Sequence, residues 1–484
     1  MPKVQYTEFS GQLNIGVTDF AKPANELSAM KNCYEYEIGK LEKVPGYSKA
    51  VTDQVVNDKS VNYLHYYYRS TTQDKYMIAG SDSGSDYILK YVDDDDTTWN
   101  TLASATYTDR AGAEISAVNY LDKAFIVGHD NGTFLDNATV EGTTYSTADS
   151  DLTDMPTGKY IVRYRDLLYV LNAYEDSTTR PSRGYFCSTP TDGAITWTPT
   201  TDFVEFGYDN GDEITGGVEA FDKLIVFKHY SMWKYDEDER KQIADIGCDS
   251  YRSIAKINGV PYWFSRQGIW RWGGSRPQLI SNKVKYFIDA IDQSTLGEQI
   301  GIQHGDEYRV FIGSVTVKGV AYDNTWLCFD TQKEKWYIRC TYDEVKSACI
   351  FEQSDKTRAY FGDDNGWVFK FATKVDEVYS DNSNDIDSFF ITNNLDFKVP
   401  SIIKYSNHMT VFTNNPQGMI MSVDVDNKDE FNQGRKTILK NNVEELDIMG
   451  GGYRYRFKFA EKSSNQSWTF EGFVINTDAK EEEL

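Results

Sequence analysis

Short runs of alternating aromatic and aliphatic residues, bounded by Asp, Asn and Gly, recur along the chain: YMIAG from Tyr76, AFIVG from Ala124, LIVFK from Leu224 and AYFG from Ala359. Alternation sends successive side chains to opposite faces, and the bounding residues suit tight turns, so each run predicts a half-buried strand. Helical spacing interrupts the pattern at Lys283 to Ile291 and predicts a short helix capping a connection between repeats.

The runs belong to a larger unit with a fixed internal order. A turn, often Asp-Lys, leads into one strand, then a polar turn containing Gly, then a second strand ending in an aromatic residue. Clear copies begin at Asp74, Asp122, Asp222 and Asp355, and weaker ones at Arg165, Asn258 and Asp306. The starts lie 36 to 57 residues apart, around the length of a propeller blade. Tips such as Asp130-Asn131-Gly132 and Asp364-Asn365-Gly366 supply residues that tolerate positive φ, as tight hairpins require. An additional strand lies upstream of several copies, as at Ile115 to Tyr120 and Ala348 to Phe351, and a strand led by Trp99, Trp197 or Trp336 lies downstream. Four-stranded units that cannot bury both faces alone stack around an axis, whereas a sandwich has no reason to repeat one internal order.

The expected fold is therefore all-β: a β-propeller of about seven blades over residues 56–392. An N-terminal docking or extended segment, 1–55, precedes it. A C-terminal β-rich module, 393–484, reads as sandwich-like, because its strands lack the Asp-Lys turn.

Composition agrees. The 484 residues include 34 Tyr, 26 Phe and 10 Trp but only 11 Pro, which suits pleated strands. Asp and Glu number 74 against 50 Lys and Arg, for a formal charge of -24, the wrong sign for a sequence-reading nucleic-acid binder. Cys33, Cys187, Cys248, Cys328, Cys340 and Cys349 form no C-x-x-C pair, so buried free thiols are expected. The start, MPKVQYTEFSGQL, lacks a basic segment followed by an apolar run, and no stretch approaches membrane-spanning length, so a soluble chain without a membrane anchor is expected.

No catalytic, cofactor-binding or metal-binding constellation emerges, and a non-enzymatic protein without a cofactor is expected. His65, His129, His229, His304 and His408 stand in separate contexts with no G-x-S-x-G elbow. Asp424, Asp426 and Asp429 hint at calcium, but the Gly and closing Glu of a calcium loop are misplaced, and an acidic turn is expected. Ser81-Asp82-Ser83-Gly84-Ser85 lacks the full spacing of a sialidase Asp-box. Trp233, Trp270, Trp272 and Trp367 are expected to pack between blades rather than stack on sugars.

Two stretches carry a family resemblance. Asn25 to Ala50 holds a G-x-L-x-K-x-P-G-Y element, here Gly39, Leu41, Lys43, Pro45, Gly46 and Tyr47, and Tyr453 to Asn476 reads as closing strands. Together covering about a tenth of the chain, they resemble the tail hub and nozzle proteins of tailed bacteriophages, the packaged-DNA stabilisation or tail tubular protein B-like propeller family. Lys43-Val44 stands where that family commonly has Lys-Arg.

The resemblance implies a structural virion protein, made in the host cytoplasm and placed in the tail. It would form a ring, commonly of six copies, below the portal and adaptor and beside tail fibre or spike proteins. The element from Gly39 to Tyr47 would be its docking motif, and DNA would pass through the lumen without specific binding. Acidic loops are the candidate lumen wall: Asp93, Asp94, Asp95 and Asp96; Asp209, Asp212 and Glu213; and Asp236 to Glu239. A wall of one sign repels phosphates over roughly 8 Å at physiological salt. The alternatives are a receptor- or glycan-binding tail propeller and a propeller glycoside hydrolase, which needs paired carboxylates.

Overall fold

The computed structural model describes residues 3 to 479, apart from 19–20, 209, 238, 354–355, 398–399, 427, 429–430, 432, 440–443, 448–450 and 463–464. Seven antiparallel sheets follow one another along the middle of the chain, and their first strands line a common axis. These inner strands are Val61–Arg69, Glu114–Tyr120, Thr157–Tyr164, Ile214–Ala220, Ala255–Ile257, Ile300–His304 and Ser347–Gln353. The last of them packs against the first, which closes a seven-bladed propeller. The expected helix is present as Lys285–Asp289, after a 3₁₀ turn, in the connection between blades 5 and 6.

Turn chemistry sets each blade. Leu121 and Asp122, Phe221 and Asp222, and Asn258 and Gly259 all have left-handed φ, as two-residue hairpins between right-twisted strands require. The Asp-Lys pairs also join neighbours. The Asp122 carboxylate accepts from Ser70 N (2.9 Å), Ser70 Oγ (2.6 Å) and Thr71 N (3.1 Å) of blade 1, and these bonds hold its pKa at about 2. Arg165 of blade 3 donates to Asp222 of blade 4 at 3.0 and 3.1 Å. A tyrosine near the end of three inner strands reaches the turn of the next blade: Tyr67 donates to Asp122 O, Tyr120 to Asp166 O and Tyr164 to Asp222 O. Each such bond contributes about 1 kcal/mol and fixes the angle between blades.

The seventh blade supplies three of its strands from Ser347–Gln353, Lys356–Gly362 and Val368–Phe371, and its fourth from Tyr47–Lys49. The N-terminal flank, expected as a docking segment apart from the propeller, thus closes the ring. The rest of that flank enters a two-sheet sandwich. One sheet runs Cys33–Glu37, Lys40–Lys43, Thr469–Ala479, Lys404–Asn414 and Glu444–Asp447, with Lys3–Tyr6 on Thr469–Ala479. The other runs Gln12–Leu13, Glu26–Lys31, Ser388–Thr392, Tyr455–Glu461, Ile420–Val425 and Gln433–Thr437. The sandwich therefore begins by Ser388, a few residues before the expected boundary, and is built from both ends of the chain. One continuous apolar core joins it to blades 5, 6 and 7.

Trp99 and Trp336 are buried at or beside fourth strands, but Trp197 is not: the fourth strand of blade 3 is Phe203–Glu205. Trp197 instead pairs in a bridge with Cys187 and donates its indole N–H to Asp151 O at 3.0 Å. That acceptor offsets the cost of taking the indole N–H out of water.

Candidate functional site at the channel mouth

The inner strands all start at one end of the axis, so residues at their beginnings gather around one mouth. The connector between blades 4 and 5 crosses that mouth. Tyr251 donates its hydroxyl to Ile115 O of blade 2 at 2.9 Å and lies against Tyr160, with ring centroids 4.9 Å apart. Arg252 donates to Lys346 O, before blade 7, at 3.2 Å. Deeper in the channel, His65 Nε2 meets Asn119 Oδ1 at 2.8 Å and Asn119 donates to Tyr66 O. Burial lowers the His65 pKa, so its imidazole stays neutral. The axis is thus spanned at its mouth.

Beside Tyr251 sits a charged cluster centred on His229. Its Nε2 lies 3.6 Å from Glu213 and its Nδ1 3.9 Å from Asp249. Glu213 also takes Lys159 Nζ at 3.1 Å and Asn172 Nδ2 at 2.9 Å. Asp249 is gripped by Arg266, whose Nε donates at 3.1 Å, while the same guanidinium reaches the Tyr230 hydroxyl at 3.2 Å. The flanking carboxylates of Asp249 and Glu213 raise the His229 pKa to about 9, so the ring is an imidazolium at neutral pH. The same contact, with Asn172 and Lys159, holds Glu213 far below the usual carboxylate range against its partial burial. Burial disfavours ionised Asp249, but His229 and Arg266 outweigh it and keep that carboxyl low as well. The cluster ties blades 3, 4 and 5 together. It holds an acid, His229, between two permanent carboxylates.

His129 lies in the same mouth, 3.6 Å from Glu114, with its pKa lowered by burial. The sequence does carry a signal for this pairing of histidines. His129 follows Asp122, and His229 follows Asp222, at the same offset, so equal position in the repeat brings both to one face. His304 is half-buried and held neutral in blade 6, and His408 lies in the sandwich strand Lys404–Asn414. Asp249 and Arg266 come from a connector and from blade 5, and no local pattern links them to His229.

Of the residues expected to dock, all but Gly39 are buried. Gly39, at φ +83°, turns the hairpin between Cys33–Glu37 and Lys40–Lys43. Leu41 is buried and pairs with Phe470, and Lys43 meets Glu461 at 2.8 Å with both side chains fully buried. Pro45 and Gly46 carry the chain from the sandwich to the propeller, and Gly46 lies so close to Ser380 that an added Cβ would stand 1.9 Å from its carbonyl oxygen. Tyr47 packs on Phe361 and Phe369 and donates to Asp343 at 2.7 Å. The element is the crossover that joins the two domains.

Of the acidic loops, Asp93 to Asp96 form the turn between the third and fourth strands of blade 1. Burial and the neighbouring Asp94 raise the Asp93 pKa to about 6, and Asp96 accepts from Asn100 at 2.6 Å. Asp209, Asp238 and Asp429 lie outside the described residues. Asp212 turns inward, accepting from His229 N, Tyr230 N and Ser231 Oγ, and Glu213 belongs to the cluster above. Asp236 pairs with Lys223 at 2.9 Å. Asp424 is buried against Arg456, and Asp426 accepts Tyr453 N and Arg454 N, which are turn roles. Trp272 is buried beside Phe221, Trp233 meets Phe206 edge-on, Trp270 packs with the blade 4–5 core, and Lys49 sits over the Trp367 ring.

No protein-family model and no curated protein matches the chain. Among solved structures it is similar to the AfRom2 CNH domain, with a TM-score of 0.38 and 10% identity over 68% of this chain and 99% of that one. It is also similar to the extracellular domain of a putative hybrid two component system from B. thetaiotaomicron, with a TM-score of 0.40 and 8% identity over 72% of this chain and 44% of that one.

Proposed function

We propose that the chain is a structural subunit of a phage tail, forming a ring with copies of itself, six by the family resemblance, below the portal and adaptor. One observation carries this reading. The two stretches that resemble tail hub proteins stand at opposite ends of the sequence, yet they pair in one sheet: Leu41 opposite Phe470 and Glu42 opposite Thr469. A resemblance confined to two short segments gains weight when those segments form one structural unit, because selection acts on the unit.

Tyr251 and Arg252 span the channel mouth, so a duplex has no path through a single propeller. In this reading the genome passes along the axis of the ring, between copies, and the net charge of -24 keeps phosphates from adhering to its wall. The same proposal gives the protein a place in the virion, contacts with portal, adaptor and fibre or spike proteins, and no catalytic task.

The test is native mass measurement and electron microscopy of the purified protein, alone and with portal and adaptor proteins. A closed ring that caps the adaptor is the expected result. A monomer that never docks overturns the proposal.

A further inference from the structure

Next to the His229 cluster, between blades 3 and 4, an open groove of about 750 Å³ runs outward from the channel mouth and shares Glu213 and His229 with it. Its lip carries Tyr208 and Tyr230, which are 76% and 59% exposed. Exposed rings also stand elsewhere on the surface, as at Tyr286 and Tyr342, but these two share the lining of one groove. Its wall carries Arg180 and Arg183 from the strand Thr178–Phe186. Arg183 has a carboxylate partner, Glu205, at 3.5 Å. Arg180 has none among the described residues, and its Nε is buried without a hydrogen-bond partner. A partly buried guanidinium lacking a counter-ion, in a chain with a large excess of carboxylates, is a costly arrangement that a ligand anion would relieve.

We propose that this groove binds an oligosaccharide bearing a carboxylate. A pyranose offers C–H faces to flat rings and hydroxyls at its edge. The groove offers two tyrosine faces at the lip, with Arg183 as donor and Glu205 and the Tyr208 hydroxyl as acceptors in the wall. Arg180 is the planar fork that takes the sugar carboxylate. Rings with arginines also suit single-stranded nucleic acid, but Glu205, Asp212 and Glu213 in the same groove oppose a run of phosphates while accepting sugar hydroxyls. The rigid base of the groove is the cluster already described: Asp212 holds the backbone of His229 and Tyr230, and Arg266 lies over the Tyr230 ring, 4.8 Å from its centroid. Pre-setting that ring lowers the entropy lost on binding. The groove belongs to one chain, so this proposal stands or falls apart from the ring.

The experiment is binding of the full chain to an array of glycans bearing galacturonate, glucuronate or sialate, beside their neutral counterparts and an oligodeoxythymidylate, followed by calorimetry on the best binder. An acidic glycan is expected to bind, with at least tenfold loss in Arg180→Gln and again in Tyr208→Ala. Both changes lie at the groove surface, and unchanged melting temperatures would confirm intact folds. No glycan binding, equal binding of neutral glycans, preference for the oligodeoxythymidylate, or binding that survives both substitutions would each overturn it.

Discussion

Lys43 and Glu461 show how an individual pair holds this fold. Burial lowers the lysine pKa and raises the glutamate pKa, each toward the neutral form, and the 2.8 Å contact between them opposes both shifts. Removing the lysine leaves the Glu461 carboxylate buried without its cationic partner. Lys43→Met should therefore cost about 3–5 kcal/mol in urea denaturation, and adding Glu461→Leu should recover much of that loss. His229 makes a prediction with a sign. Its folded pKa of about 9 exceeds the ordinary imidazole value of 6.5, so the stabilisation is fully present below pH 6.5 and disappears as pH rises through about 9. Glu213 titrates far below this window, so the window reports the imidazole. Melting temperatures of the wild type and of His229→Gln, followed from about pH 6 to about pH 10, should converge toward the alkaline end. A gap that stays constant across the range would remove His229 from the ionic network.

The blades were legible in the sequence because their information is local. Asp122, Asp222 and Asn258 sit at turns that need left-handed φ, and the strands beside them alternate, so hairpins can be read within a short window. The closing strand Tyr47–Lys49 has no such mark. Its partner, Val368–Phe371, lies hundreds of residues away, and only pairing across the ring reveals that the flank completes blade 7. The same holds for the sandwich, whose sheets each join N-terminal strands to a block of C-terminal ones, and for the His229 site, which draws on blades 3, 4 and 5. The Asp-Asn-Gly tips show the limit of local reading. Asn131 and Gly132 both adopt positive φ at an open tip, whereas at the second copy only Gly366 does, and a Cβ there would meet Val56 O at 2.1 Å. The second Gly leaves room for the N-terminal segment that crosses blade 7. Gly46, pressed on Ser380, controls the entry of that segment into the blade. Gly46→Ala should cost about 1–3 kcal/mol or more through overpacking. Hydrogen exchange should show protection lost first in Tyr47–Lys49 and Val368–Phe371, and uniform loss over all blades would contradict a local role.

At the scale of the whole molecule, both termini close the structure: one completes the propeller, and the two together make the sandwich. Deleting residues 1–50 removes strands from both units at once, and the product should lose its cooperative melting transition in calorimetry rather than leave an intact propeller. The charge of -24 acts on a larger scale still. In the proposed ring every copy repels its neighbours, and the repulsion extends over a Debye length that shrinks from roughly 30 Å at 0.01 M salt to roughly 10 Å at 0.1 M. Short-range contacts at the interface feel little of that change, because packed apolar groups are not screened. Added salt should therefore favour the ring over the free subunit, with sedimentation velocity showing a larger assembled fraction at 0.3 M than at 0.03 M sodium chloride at equal protein concentration. Chaotropic salts complicate the reading, so the comparison is made with chloride alone. A ring that dissociates as chloride rises would mean that ion pairs across the interface outweigh the mutual repulsion of the subunits, and that the excess of carboxylates faces away from the contacts between copies.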